Sequence, residues 1–463
     1  MAAEHPEPRS LELLMRDELP AAERRRIVRH LLTGCPVCQQ TTRRLCQLWP
    51  MSEPGGPPGG PSYPGLFERL IGEAKERERQ VAAEREAAPG LLAELLGHPQ
   101  VPPAAQRLAR VCGDPRFHSP ALGEALIGRC REVGADDPAA AVEMGELAVA
   151  LAEQLAEQLD PRLRGATVVQ SLKSRSWAWL GNARRLASDL PGAERALAMA
   201  ELLGERGTGD PLEKAELLGL RAALLADQRE LDDAEALLDH ALGLYRAAGD
   251  RHLEGRTLVQ KGLVRGCRAG REAEGIELLR EGVSLLDRQG RGGPGGQRFL
   301  THALFTLTSL LAETGRPEEA SETLRETRAL YQEAGDRPSL IHLRRLEGKI
   351  EEALGRPEAA EAALIEARDA FLHEGLGAEA AVASIDLAAL YASQGRLPEM
   401  VRLSANMSPV YRARDMRREV VATLMVFQRL IEVDPWNIPF LAEMSRYLGG
   451  STRARRPCLR WAS

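Results

Sequence analysis

His30, Cys35 and Cys38, spaced H-x4-C-x2-C, are the residues whose types and spacing could do chemistry in this chain. Two cysteines three apart at a helix start can face one ion, and a histidine one turn before the break can supply a third vertex. Thiolate and imidazole are ligands that zinc accepts in a closed tetrahedral site, and such a site wants four of them. Spacing alone does not supply the fourth. Cys46 lies eight residues beyond Cys38, about 12 Å along a helix axis, and His5 can join only if the N-terminus folds back. Two readings therefore stand open: a structural zinc ion, or a helical mini-domain that keeps the same shape by packing alone.

The elements that would position these residues are short helices. Leu11 to Arg16 predicts one. Pro20 suits the first turn of a second, which runs to His30 and stops near Gly34. A third opens at Cys35-Pro36 and continues to Trp49. The stretch ELPAAERRRIVRHLLTGCPVC (residues 18–38) resembles the zinc-containing anti-sigma family of bacteria. In that family a three-helix unit carries His-x3-Cys-x2-Cys and clamps an RNA polymerase sigma factor. The resemblance implies zinc ligation by His30, Cys35 and Cys38 and a sigma-factor partner. The His-to-Cys gap is one residue longer here.

After this head (residues 1–48), residues 49–65 hold too much Pro and Gly for a helix or strand and predict a linker. Residues 66–165 turn helical again. Phe67, Leu70, Ile71 and Ala74 share one stripe, and Pro89, Pro99, Pro102 and Pro103 are expected to cut the region into short helices. Pro138 to Leu159 predicts one long amphipathic helix behind an Asp136-Asp137 cap.

From Ser188 to Ser404 the chain repeats itself. Turn anchors fall at Ser188, Arg229, Gly270, Gly315, Gly355 and Gly395, so the intervals are 41, 41, 45, 40 and 40 by subtraction. Five places after each anchor comes a mostly small residue: Ala193, Ala234, Gly275, Ala320, Ala360, then Met400. Nine places after come Leu197, Leu238, Leu279, Leu324 and Leu364, with Ser404 the exception. A helical period of this length marks a solenoid of hairpins, each burying its apolar face on its neighbours. The 45-residue interval holds GRGGPGG (290–296). It satisfies G-x-G-x-x-G by letter but lies between helices, where a dinucleotide site needs a strand, so it reads as a loop.

Trp177, Leu180, Gly181, Ala193, Leu197 and Ala200 follow the tetratricopeptide pattern position by position, and residues 166–434 resemble the extended tetratricopeptide arrays of some bacterial transcription regulators. Arrays of that family grip an extended peptide or partner helix on the first helix of each hairpin. Carried onto this sequence, the resemblance implies a polar, mildly basic groove of Arg175, Asn182, Arg185, Gln260, His302, His342, Arg345 and Lys349, suited to an acidic segment or a terminal carboxylate. Residues 435–463 are read as a C-terminal helix and a basic tail. Met416 to Val433 predicts an amphipathic helix covering the last repeat.

Composition agrees with an all-α, tetratricopeptide-like solenoid. Apolar residues make up 44% and charged residues 28% of the 463, with aromatics at 4%. A net charge of −6 argues against general nucleic-acid binding. There is no secretory signal pattern and no apolar run of membrane-spanning length, and the seven cysteines are odd in number and mostly scattered. A reducing cytoplasm is expected. No G-x-S-x-G, Walker loop, H-E-x-x-H or EF-hand pattern occurs. The expectation is a non-enzymatic protein-binding scaffold or regulator in transcription. The alternative is a peptide or ligand sensor that signals through its head.

Overall fold

The computed structural model describes residues 5–15, 19–32, 35, 37–38, 41–42, 63–97, 104–134, 136–158, 165–286, 293–334, 337–396, 398–400 and 402–403. Most of the third head helix, the Pro/Gly segment up to residue 62, Cys46 and everything from Ser404 onward lie outside them. So do the expected covering helix and the basic tail. The described residues are helical throughout, without a strand, and form two units, Met1–Ala87 and Ala88–Ser463.

In the first unit α1 (Pro8–Met15) starts three residues before the expected Leu11, and α2 (Ala21–Leu32) follows Pro20 as expected. Their core is small: Leu11, Leu19 and Ile27 are buried, backed by Leu13, Leu14 and Leu31. α3 (Tyr63–Leu96) overturns one expectation, because Pro89 sits inside it rather than ending it. A helix-interior proline loses one hydrogen bond and crowds a carbonyl, costing about 3 kcal/mol. What lies beyond it offsets that cost: Leu95 is fully buried, with Leu91, Leu92 and Leu96 packed on the same core.

The second unit continues with α4 (Ala104–Gly113), a 3-10 turn at Pro115–Phe117, α5 (Pro120–Val133) and α6 (Pro138–Gln158). Asp137 caps α6 as expected, its Oδ1 accepting from the Ala140 amide at 3.0 Å. The hairpins follow: α7 (Gly165–Leu186) with α8 (Leu190–Gly204), α9 (Pro211–Gln228) with α10 (Leu231–Ala248), and α11 (Arg251–Gly266) with α12 (Glu272–Leu285). Then come α13 (Gly293–Glu313) with α14 (Pro317–Ala334), α15 (Arg337–Ala353) with α16 (Pro357–His373), and α17 (Gly377–Ser393) leading to Met400 and Leu403. α13 begins inside the Gly/Pro segment, so residues 293–296 are its first turn and not loop. Pro294 is tolerated there because amides of a first turn have no helical acceptor.

The periodicity has a visible backbone cause. All six anchors adopt the left-handed conformation, with φ of 68° at Ser188, 71° at Arg229, 80° at Gly270, 73° at Gly315, 71° at Gly355 and 70° at Gly395. At Arg229 the Glu230 amide donates to the Leu225 carbonyl at 2.9 Å and the Arg229 amide to Ala226 at 3.2 Å, which closes the helix end. The same pair recurs around Ser188, Gly355 and Gly395. Four anchors are glycine, for which this conformation is free of Cβ strain; Ser188 and Arg229 are not, and both are exposed. Ser188→Gly and Arg229→Gly are each expected to raise stability by about 0.5–1 kcal/mol in thermal unfolding. A loss of stability in either would contradict this account of the turns.

The small residues do what their spacing implied. Ala193, Ala234, Ala320 and Ala360 are fully buried at the helix crossings. A Cβ on Gly181 would stand 2.8 Å from Leu197 Cγ, and one on Gly348 would stand 2.7 Å from Leu364 Cγ. Tyr245, Leu286, Tyr331 and Phe371 are buried near the ends of the second helices. Successive first helices also touch one another: α5 with α7, α7 with α9, α11 with α13, α13 with α15, and α15 with α17. Each second helix packs on the next first helix. The first helices therefore touch in two series, α5 to α9 and α11 to α17.

Candidate metal centre and first-helix face

The head brings four donors together. His30 lies near the end of α2, Cys35 follows in the connection, Cys38 is buried in a helical segment, and His5 precedes α1. Cys35 Sγ lies 3.3 Å from His5 Nδ1, Cys38 Sγ 3.7 Å from the same nitrogen, and Cys38 Sγ 3.2 Å from His30 Nε2. One ligand atom from each residue fits within 4.8 Å of all the others. A tetrahedral zinc site with ordinary Zn–S and Zn–N bonds has edges of about 3.3–3.8 Å, so the separations suit that ion. The donor chemistry suits it too, since two thiols and two imidazoles form one of the familiar closed sets.

The thiols are differently placed. A hydrogen bond from the Cys38 backbone holds the Cys35 thiol below its ordinary range, while burial pushes the Cys38 thiol up. Four protein ligands leave no open position, so an ion held here would be structural. Sequence spacing identified three of the four. His5 stands 25 residues upstream of His30 by subtraction, and only the path of the chain around α1 brings it back.

The expected groove residues lie on first helices, in different environments. Arg175, on α7, pairs with Glu124 of α5 at 2.5 Å and stands 3.8 Å from Glu216 of α9. Asn182 and Arg185 are 2% and 4% exposed, which turns them toward the neighbouring hairpin rather than toward solvent. Arg185 Nε and Nη2 donate to Asn182 Oδ1 at 3.0 and 2.9 Å, and Nη1 donates to Asp227 Oδ2 at 2.8 Å. Burial pulls the Arg185 guanidinium down and pushes the Asp227 carboxyl up, each opposed by the partner's charge.

Gln260 is half-buried, with its Oε1 over Gly219 of α9. The His302 ring lies 6.0 Å from Phe305 and that of His342 4.8 Å from Phe371, between centroids. Arg345 donates to Asp386 of α17 at 2.5 Å. Lys349, half-buried on α15, opposes the rise that burial gives the Glu352 carboxyl.

One register relation was missed. Arg175, His302 and His342 each stand six residues before the helix-crossing position of their hairpin (Gly181, Thr308, Gly348), and so do Glu216 before Ala222 and Arg256 before Gly262. Applied to every hairpin, the repeat would have found all five.

No protein-family model matches the chain, and no curated protein matches it in sequence. Solved structures do resemble it. One is a signal-transduction ATPase with numerous domains carrying a tetratricopeptide repeat sensor, from Pyrococcus horikoshii, with a TM-score of 0.53 at 12% identity. That match covers 80% of this chain but only 53% of the other, so this chain spans about half that protein's length. Another is the apo form of RapI, with a TM-score of 0.51 at 13% identity over 71% of this chain and 87% of that one. The fold is thus an all-α, tetratricopeptide-like solenoid. Among the described residues no helix is long and apolar enough to cross a membrane.

Proposed function

We propose that this chain is a non-enzymatic protein-interaction regulator of the bacterial cytoplasm, whose first-helix face holds a protein or peptide and whose head is a zinc-braced module. The observation that carries this reading is the repeated hairpin: five crossings built alike set a polar side chain at the same register on each first helix from α7 to α15. An extended partner can run along such a row, gaining contacts hairpin by hairpin. The head's resemblance to anti-sigma modules supports a transcription partner, with a sigma factor as the first candidate. The neighbour whose repeats are named a sensor favours the second reading, a peptide or ligand sensor with its output through the head.

Affinity capture with the full chain tests this, run beside Cys38→Ser and Arg345→Ala variants. A specific protein retained by the full chain, and lost from one variant but not the other, is the expected result and shows which part selects. Retention of nothing beyond a control bait would remove the proposal, and retention of proteins unrelated to transcription would remove the sigma-factor form of it.

A further inference from the structure

The packing of the array changes at one place, between its second and third hairpins. Successive first helices approach closely within each of their two series and draw apart between α9 and α11. The apolar core divides at the same point. One buried cluster runs from Leu95 of α3 to Leu224 of α9, and another from Val259 of α11 to Ile350 of α15. The clusters between them are small and rich in alanine: Ala222, Ala226 and Ala234 with Leu238 and Val264, and Ala241 with Tyr245.

Charge closes the junction instead. Asp232, Glu235 and Asp239 form an acidic stripe along α10, opposite a basic one of Lys261 and Arg265 on α11 and Arg268 just beyond it. Glu235 accepts from Arg265 Nε at 2.7 Å and from its Nη2 as well, Lys261 pairs with Asp239, and Arg268 meets Asp232 at 2.6 Å. At the other end of the seam the signs reverse, with Arg246 of α10 donating to Glu254 of α11 at 2.7 Å. The equivalent α8–α9 seam has one arginine, Arg221, at 3.6 and 3.9 Å from Glu194 and Glu201, too far for hydrogen bonds. On the first-helix side long side chains cross the gap: Gln260 of α11 lies over Gly219 of α9, and Arg256 faces Glu216.

We propose that the array is jointed here: α4 to α10 and α11 to α17 move as two stiff blocks that pivot on the α10–α11 seam, opening and closing the first-helix face between α9 and α11. An interdigitated apolar core has one close-packed fit and resists rotation. Coulomb attraction between long side chains falls smoothly with distance and demands no single angle, so an ionic seam tolerates a change of pitch. Gly219 has no side chain to block the swing. The joint sets the spacing between the polar positions of α7 and α9 and those of α11, α13 and α15. It stands on the packing alone and goes beyond the reading of the face as a partner surface.

Nitroxide pairs in the full-length protein, measured by double electron–electron resonance, test it. The labels are carried on p-acetylphenylalanine, which spares the native cysteines, at exposed positions. Leu202 with Arg325 spans the joint, Glu132 with Leu202 lies inside the first block, and Glu277 with Arg325 inside the second. The distance distribution across the joint should be about twice as wide as either control, and should widen further between about 0.05 and 0.5 M salt, which screens the exposed pairs. Asp239→Lys sets two cations against each other and should widen it too, while adding Lys261→Asp should narrow it again. That recovery cannot arise from misfolding, and the salt series needs no seam variant. A distribution across the joint as narrow as the controls and indifferent to salt would overturn the proposal. Spreading of the Glu277–Arg325 pair instead would also overturn it, since the flexibility would then lie between α12 and α13. Capture of no protein by the full chain removes the binding reading and leaves the joint standing on its own distances.

Discussion

The full-length protein, purified without chelator, is expected to carry about one zinc per chain, and His5→Ala, His30→Ala, Cys35→Ser and Cys38→Ser are each expected to abolish stoichiometric loading. Cys46→Ser should leave it intact. His5→Ala is the most informative variant, because it separates the four-donor cluster from the three-donor motif visible in the sequence. Structural zinc sites contribute about 10–16 kcal/mol of apparent binding free energy at neutral pH, part of which is folding energy. Among the described residues the head's buried apolar cluster is slender, consisting of Leu11, Leu19 and Ile27. Chelation should therefore strip α1 and α2 of protection from hydrogen exchange while leaving α7 to α17 protected. Elemental analysis finding well under a tenth of an equivalent of zinc, or exchange in the head indifferent to chelator, would end the metal assignment.

Arg185→Ala is expected to cost about 3–5 kcal/mol, the range for breaking a buried ion pair and stranding one partner. The stranded partner is Asp227, which would lose its ion-pair partner inside the α7–α9 contact. Arg185→Met combined with Asp227→Leu should recover most of the loss, since two apolar groups of similar size leave no uncompensated charge. The pH dependence has a definite sign. Burial already holds the Asp227 carboxyl above its ordinary range, so folding penalises its charged form relative to the unfolded chain. Such a group favours folding at low pH and loses that contribution as pH rises through its folded value. Without Arg185 the carboxyl rises further, so the deficit of Arg185→Ala should be largest at neutral pH and should shrink as pH falls toward about 4. Urea unfolding of the variant at two pH values measures it. A cost under about 1 kcal/mol, or one that grows in acid, would show that the pair does not join the two hairpins.

Much of the array could be read from letters because its causes are local. A left-handed turn residue, a small residue five places on and a leucine nine places on repeat at nearly constant spacing. Each is a requirement of one turn or one helix crossing. The same register would have disclosed Glu216 and Arg256 beside Arg175, had it been carried through every hairpin. Pro89 misled because a proline rule describes an isolated helix, whereas the burial of Leu95 and its neighbours decides whether α3 continues. Gly293 misled in the same way: glycine and proline at a first helical turn look like loop until the helix behind them is seen.

Hairpin period, all-helical class and the closeness of His30, Cys35 and Cys38 were therefore legible in the sequence alone, because each depends on residues within a few turns of one another. Tertiary structure alone decided that His5 comes back beside His30, Cys35 and Cys38, that Arg185 is spent on Asp227, and that Arg131 and Arg175 from two helices flank Glu216. Those arrangements join residues from 25 to more than 80 positions apart by subtraction. Their distances are set by how whole helices pack, a property of many side chains acting together that no short stretch of sequence records.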